Sequence, residues 1–218
     1  DERGDLRGRF FQEANFYYLS GWSEPGARLI LTPAADFLFL PPRSEVKERY
    51  TGRKLVPGDP NVAALTGFEH VLPATRFELT LFQQLESVQK IFSILNIATE
   101  SPLRGLAGGR PIENASSMVF PLRLVKSPTE LALIQRSIDV SIDAHRAAWR
   151  RAASGLFEYQ VSATMTNVYF EAGCERSAYP PIVGSGPNAT ILHYNRNDRR
   201  MDSGELLLMD VAGECSMY

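Results

Sequence analysis

The feature that most restricts how this chain can fold is the tetrapeptide Ser127-Pro128-Thr129-Glu130. The Ser127 hydroxyl can accept from the N–H of Glu130, and the Glu130 carboxylate can reach back to the N–H of Ser127. Pro128 falls at the first helical position, where its missing donor is not needed. Behind this start, Leu131, Ile134, Ile138, Ile142, His145 and Trp149 recur at spacings of three and four. The pattern predicts a long amphipathic helix ending near Gly155, with those side chains as its apolar stripe. A second helix is expected over about residues 158–172, closed by Gly173 just past its end.

Upstream of Ser127 the elements are short and mixed. Asn15-Phe16-Tyr17-Tyr18-Leu19 is rich in aromatic strand formers and reads as a strand stopped by Gly21. Arg28-Leu29-Ile30-Leu31 and Phe37-Leu38-Phe39-Leu40 flank a five-residue loop and read as a hairpin, ended by Pro41-Pro42. A short helix is expected from Ser44 to Tyr50, a longer one over about residues 77–90, and a strand from Ile91 to Ile97. Residues 103–111, with Gly105, Gly108, Gly109 and Pro111, are the most linker-like stretch. They lack the Lys-Ser/Thr of a phosphate cradle and read as a plain loop. The expected organisation is an α/β domain over 1–121 and an α+β domain over 122–218, the latter two helices followed by strands.

Composition removes several function classes. Hydrophobic residues at 44% and charged residues at 22% support a real core, which excludes disorder. The net charge is -2 and the basic residues are scattered, so no stripe suited to nucleic acid exists. No apolar run approaches the roughly 20 residues that cross a bilayer, so no membrane role is expected. Cys174 and Cys215 have no CxxC spacing; as isolated thiols they argue for a reducing compartment, and a cytoplasmic location is expected. The sequons at Asn114 and Asn188 matter only in a secreted eukaryotic protein.

Two residues stand out chemically. Asp210 follows the apolar run Leu206-Leu207-Leu208-Met209, and a carboxylate buried there must be paired, hydrogen-bonded or bound to metal. Alternatively it ends the strand and starts a turn. His193 follows Ile191-Leu192 in what reads as a strand, where it is either a proton-transfer group near neutral pH or an ordinary half-buried histidine. His145 on the helix stripe reads as a hydrogen-bonded core or interface histidine, and His70 has no second ligand nearby. Ser185, in Gly184-Ser185-Gly186, lacks a nucleophile elbow and reads as a turn serine. No GxSxG, HExxH or Walker pattern occurs.

Taken together, three segments resemble the creatinase/aminopeptidase P family of metallopeptidases. They are Ala178-Tyr179-Pro180-Pro181-Ile182-Val183-Gly184-Ser185-Gly186, then Ile191-Leu192-His193-Tyr194, then residues 204–214 through Leu207, Asp210 and Glu214. The interval from His193 to Asp210 is the one Xaa-Pro aminopeptidases show between an active-site histidine and the first metal-binding aspartate. Residues 124–130 resemble the entry to that family's catalytic domain, and residues 15–22 resemble a segment of its N-terminal domain.

The resemblance implies a creatinase-like N-terminal domain followed by part of a pita-bread catalytic domain. It implies two divalent metals, manganese by preference, held by two Asp, one His and two Glu. Only the first aspartate, Asp210, lies in this sequence; the others would fall beyond Tyr218. The chain is therefore expected to be the front part of a longer protein and inactive alone. The implied reaction is removal of a residue preceding proline from peptides with proline in second position. Two metals would activate a water, with His193 near the scissile carbonyl. A homodimer or homotetramer is expected. A prolidase-type dipeptidase and a non-catalytic pita-bread binding module are the alternatives; a methionine aminopeptidase is disfavoured by the upstream domain.

Overall fold

The computed structural model describes residues 2–3, 6–7, 10–94 and 97–218, with side chains for 10–94 and 102–218. It divides into two units, Asp1–Leu124 and Val125–Tyr218.

The first unit opens with the antiparallel pair β1 (Glu2–Arg3) and β2 (Leu6–Arg7). Next comes α1 (Ala14–Ser20), where a strand was expected from the aromatic run. Capping overrides strand propensity here. The Glu13 carboxylate accepts from the N–H of Phe16 at 2.8 Å, and Gly21, at φ 64°, donates its N–H to Tyr17 O. The hairpin forms as expected from β3 (Arg28–Leu31) and β4 (Asp36–Leu40). Thr32 Oγ1 closes its loop by accepting from the N–H groups of Ala34 and Ala35. After α2 (Glu45–Thr51) and α3 (Val62–Thr66), β5 (His70–Pro73) adds to β4 in parallel. The core of this sheet is Leu38, Phe39 and Leu40, all fully buried, with the Phe77 ring edge-on to Phe39.

The unit continues through α4 (Phe77–Leu85), β6 (Ile91–Ser93), α5 (Ile97–Leu106), β7 (Ile112–Asn114) and α6 (Ser116–Leu124). β6 is shorter than the expected strand; residues 95 and 96 of that run lie outside the described residues. The linker-like residues 103–111 are the end of α5 and a tight turn in which Gly108 and Gly109 take positive φ. The helix absorbs Pro102 and Gly105, so the glycines mark a turn only from Gly108 onward.

In the second unit, α7 (Pro128–Arg151) starts with both halves of the expected capping box. α8 (Glu158–Glu171) packs against it. The packing face of α7 is not the predicted stripe. Ser137, Ala144 and Ala148 are buried, while Leu131, Ile138, Ile142 and Trp149 are exposed. Small side chains permit close approach of two helices, and on α7 they lie away from the large apolar ones. His145 Nδ1–H donates at 2.8 Å to Ser141 O one turn back.

The remaining strands form two antiparallel pairs, β8 (Arg176–Ser177) with β11 (Gly213–Glu214), and β9 (Ile182–Ser185) with β10 (Leu207–Asp210). Val161, Met165, Tyr169, Val183, Met201 and Val211 make the core. Cys174 and Cys215 are joined in a disulfide, so they are not the isolated thiols expected. They are 41 residues apart in sequence, but the turn after α8 and the end of β11 lie side by side, with Glu175 N–H donating to Glu214 O. Paired, they no longer argue for a reducing compartment.

Gly213 shows how tightly this core closes. A Cβ there would sit 2.8 Å from Cδ1 of the fully buried Tyr169 ring. Gly213→Ala is therefore expected to destabilise the chain by about 1–3 kcal/mol through overpacking. Urea unfolding checks this, and an unchanged midpoint would contradict the packing described.

Candidate active site

The site is built on Glu158, the first residue of α8. Its side chain is fully buried. Phe157, just before it, has no acceptor in its side chain, so only half a capping box can exist there: Phe157 N–H donates to Gln160 Oε1 at 2.9 Å. Glu158 instead turns inward. Its Oε1 accepts from Ser185 N–H at 2.7 Å, Ser185 Oγ at 2.8 Å and Asn188 Nδ2 at 3.3 Å. Its Oε2 accepts from Tyr194 OH at 2.7 Å and Arg199 N–H at 3.0 Å. Burial pushes the carboxyl towards its neutral form, but the bonds from Tyr194, Ser185 and Arg199 outweigh it and hold the pKa below the ordinary glutamate value of 4.5. Burial and the bond to Glu158 push the Tyr194 hydroxyl up to about 12, so it stays a donor.

These bonds fix the chain between β9 and β10. It leaves Ser185 as a 3₁₀ turn (Gly186–Thr190), not the strand expected around Ile191-Leu192-His193-Tyr194. The approach is close: a Cβ on Gly184 would lie 2.8 Å from Asn188 O, and one on Gly186, at φ +51°, would collide with the Glu205 carboxylate. Side-chain contacts replace a strand ladder here. Asn197 is buried, accepting from Val183 N–H at 2.8 Å and donating to Pro181 O at 2.8 Å. Arg199 bridges Ser185 Oγ at 3.0 Å and Glu205 Oε1 at 2.8 Å. The backbone returns alongside α8, where Glu158 N–H donates to Arg199 O and Met201 N–H to Leu156 O.

His193 sits at the apex of this loop, exposed, with φ 59°. That is left-handed backbone for a non-glycine residue, which persists only where the surroundings hold it. Ser185, read as a turn serine, is a buried strand residue and a Glu158 partner. Asp210 ends β10 opposite Ile182 and is exposed, so the buried-strand reading of residues 205–210 fails: Leu206 and Leu208 are exposed as well. The reason is that, among the described residues, β10 pairs only with β9, and it alternates its sides between core and solvent. Asp210 Oδ1 accepts from Tyr179 OH. Burial and this carboxylate raise the Tyr179 hydroxyl to about 12. No hydrogen bond or ion pair joins His193 to Asp210 among the described residues.

Residues 2–92 match the model of the aminopeptidase P N-terminal domain, and residues 132–218 that of metallopeptidase family M24. The chain thus carries an aminopeptidase P N-terminal domain and a segment of a family M24 domain. It is 31% identical to the Xaa-Pro aminopeptidase of Haemophilus influenzae, over 96% of this chain and 50% of that protein. It is 29% identical to that of Escherichia coli, over 95% of this chain and 51% of that protein. Among solved structures, proline aminopeptidase P II from Yersinia pestis superposes with a TM-score of 0.88 at 26% identity, covering 99% of this chain and 53% of that one. Aminopeptidase P from Escherichia coli with the inhibitor Pro-Leu gives 0.89 at 26%, with the same coverage. The chain spans about half the length of the curated relatives it matches.

Family M24 is a metallopeptidase family, so the donor set matters. Among the described residues no three His, Cys, Asp or Glu side chains gather into a group able to hold a metal ion. Asp210 fits as one hard oxygen donor, but a hard divalent cation takes six or more ligands, more than one carboxylate gives. Sequence reasoning named Asp210 and His193 but missed Glu158, Tyr194, Asn197 and Arg199. The only available signal was a lone acid between Phe157 and Tyr159, which also reads as an ordinary helix-start glutamate.

The lowered pKa of Glu158 has a defined consequence. Stability from its ionised form is fully present above about pH 4.5 and is lost as pH falls through the lower folded value. Glu158→Gln leaves a buried donor facing a donor and is expected to cost about 1–3 kcal/mol at neutral pH. Urea titrations of wild type and variant should converge as pH drops below 4.5; a pH-independent gap would contradict the ionised carboxylate.

Proposed function

We propose that this chain forms part of a metal-dependent aminopeptidase that removes the N-terminal residue from peptides with proline in second position. The observation that carries the reading is the β9–β10 segment. It presents His193 on a side-chain-anchored loop and Asp210 at an exposed strand end, both hung from one four-residue strand, within a chain of aminopeptidase P fold. Residues 1–121 are proposed as the access-restricting domain and 122–218 as the first part of the catalytic domain. The assembly is proposed as a homodimer or homotetramer.

Each residue's proposed part follows from its place. Asp210 is a direct ligand to one of two divalent metals, manganese on the resemblance, which when bound supply an activated water. Its exposed carboxylate at the end of β10 is open to a cation, and Tyr179 OH on Oδ1 fixes its rotamer. His193, exposed and without a side-chain hydrogen-bond partner among the described residues, is free to meet the substrate beside the scissile carbonyl. There an imidazole can hold or move a proton at neutral pH. A bond to proline nitrogen carries no N–H, so recognition falls on the free amino end and the carbonyl.

Two variants of the full-length protein test these parts separately. Asp210→Ala is expected to abolish hydrolysis of Xaa-Pro-Yaa tripeptides and lower metal content in elemental analysis. Equal metal and equal activity would sink the ligand assignment. His193→Ala is expected to cut kcat/KM on the order of 10²–10⁴-fold with metal content unchanged. Normal turnover with a lowered Tm would make His193 structural instead. Cleavage of Xaa-Pro dipeptides but not tripeptides would point to a prolidase.

A further inference from the structure

Among the described residues the imidazole of His193 makes no side-chain hydrogen bond or ion pair, so its backbone, not a polar side-chain contact, sets its position. That backbone is left-handed, at φ 59°. Its neighbours differ sharply: Leu192 is 86% exposed, while Tyr194 is 7% exposed. Tyr194 is where the apex of the loop enters the protein. Its hydroxyl donates to Glu158 Oε2 at 2.7 Å and accepts from Asn188 Nδ2 at 2.9 Å and from Asp198 N–H at 3.3 Å. One phenol oxygen thus ties together the residues before and after His193 and joins both to a buried carboxylate. Further along, Asn197 holds the return of the loop to Pro181 and Val183. Between Asn188 and Asn197, Tyr194 is the buried attachment.

We propose that Tyr194 and Glu158 are positioning residues for His193, holding the 186–199 loop on β9 so that the imidazole is offered at one place. The inference rests on the aminopeptidase reading of His193. Glu158 suits the task because every donor around it points at a carboxylate oxygen: two backbone N–H groups, two hydroxyls and an amide. Tyr194 suits the test better. Phenylalanine keeps the ring in the core and deletes only the oxygen, so folding is preserved while three loop contacts go at once.

The experiment uses the metal-loaded full-length protein, comparing wild type, Tyr194→Phe, His193→Ala and the double variant. Assays are tripeptide kinetics, metal analysis, and amide hydrogen exchange of residues 186–199. Tyr194→Phe is expected to lower kcat on the order of 10–100-fold, the loss that misplacing a catalytic group by about 1 Å produces. KM should stay within about twofold and metal content unchanged, while exchange in the loop speeds up. The double variant should be no slower than His193→Ala, because a group already removed cannot be misplaced. Multiplicative losses in the double variant, or wild-type exchange in Tyr194→Phe beside an inactive His193→Ala, overturn the positioning alone. A fully active His193→Ala overturns the functional reading, and the positioning of a catalytic imidazole with it.

Discussion

The second unit depends on an ionised carboxylate buried among hydrogen-bond donors, with the Arg199 guanidinium one hydroxyl away beyond Ser185 Oγ. Removing such a charge from water is expensive, and an interior keeps it only where hydrogen bonds replace the lost hydration. Glu158 has five such donors from four places in the chain: Ser185, Asn188, Tyr194 and Arg199. Each bond to an ionised acceptor is stronger than a neutral one, and each gains from low surrounding polarity. The arrangement is also exclusive. A neutral acid or an amide at this position would turn at least one oxygen into a donor facing a donor. Charge, burial and loop shape therefore come as one package.

This explains why the loop between β9 and β10 can be irregular and still be definite. A ladder would have fixed its backbone by periodic bonds, but it would also have alternated its side chains between two faces. Point attachment by Glu158 and Asn197 leaves the backbone free to take left-handed values at His193 and Asn197. Close approach is met by glycine where a side chain would collide, at Gly184 against Asn188 O and at Gly186 against Glu205. Glu205 in turn holds Arg199, whose guanidinium also reaches Ser185 Oγ. The ring of contacts closes on itself.

Local rules read well wherever the structure is locally determined. The capping box at Ser127 and Glu130, the β3–β4 hairpin and the Gly173 stop after α8 are each fixed by neighbours a few residues away. Aromatic residues misled at Asn15–Leu19, because Glu13 and Gly21 cap a helix around them. The stripe on α7 misled for a different reason: periodicity reports which residues share a face, whereas Ala144 and Ala148 decide which face another helix can approach. Motif likeness pointed to His193 and Asp210. It gave no view of Glu158, whose partners lie 27 to 41 positions away in sequence. A buried network has no periodicity, and Ser185 and Tyr194 look like ordinary turn and strand residues until they meet the same carboxylate.

The two candidate residues share a reference. Asp210 is set by register, pairing with Ile182 at one end of β9. The loop carrying His193 is set at the other end, through Ser185 on Glu158, with Asn197 bound to Val183 between them. Their relation is thus measured along four residues, Ile182 to Ser185, all buried. A strand of that length, packed on both sides, has little freedom to stretch or slip, and a slip by one residue would turn Asp210 to the opposite face. A histidine on a flexible-looking loop and a carboxylate on an edge strand are in this way tied to the most constrained segment near them. Two candidate site residues that do not touch each other need that property if they are to act together: the distance between them must come from the scaffold.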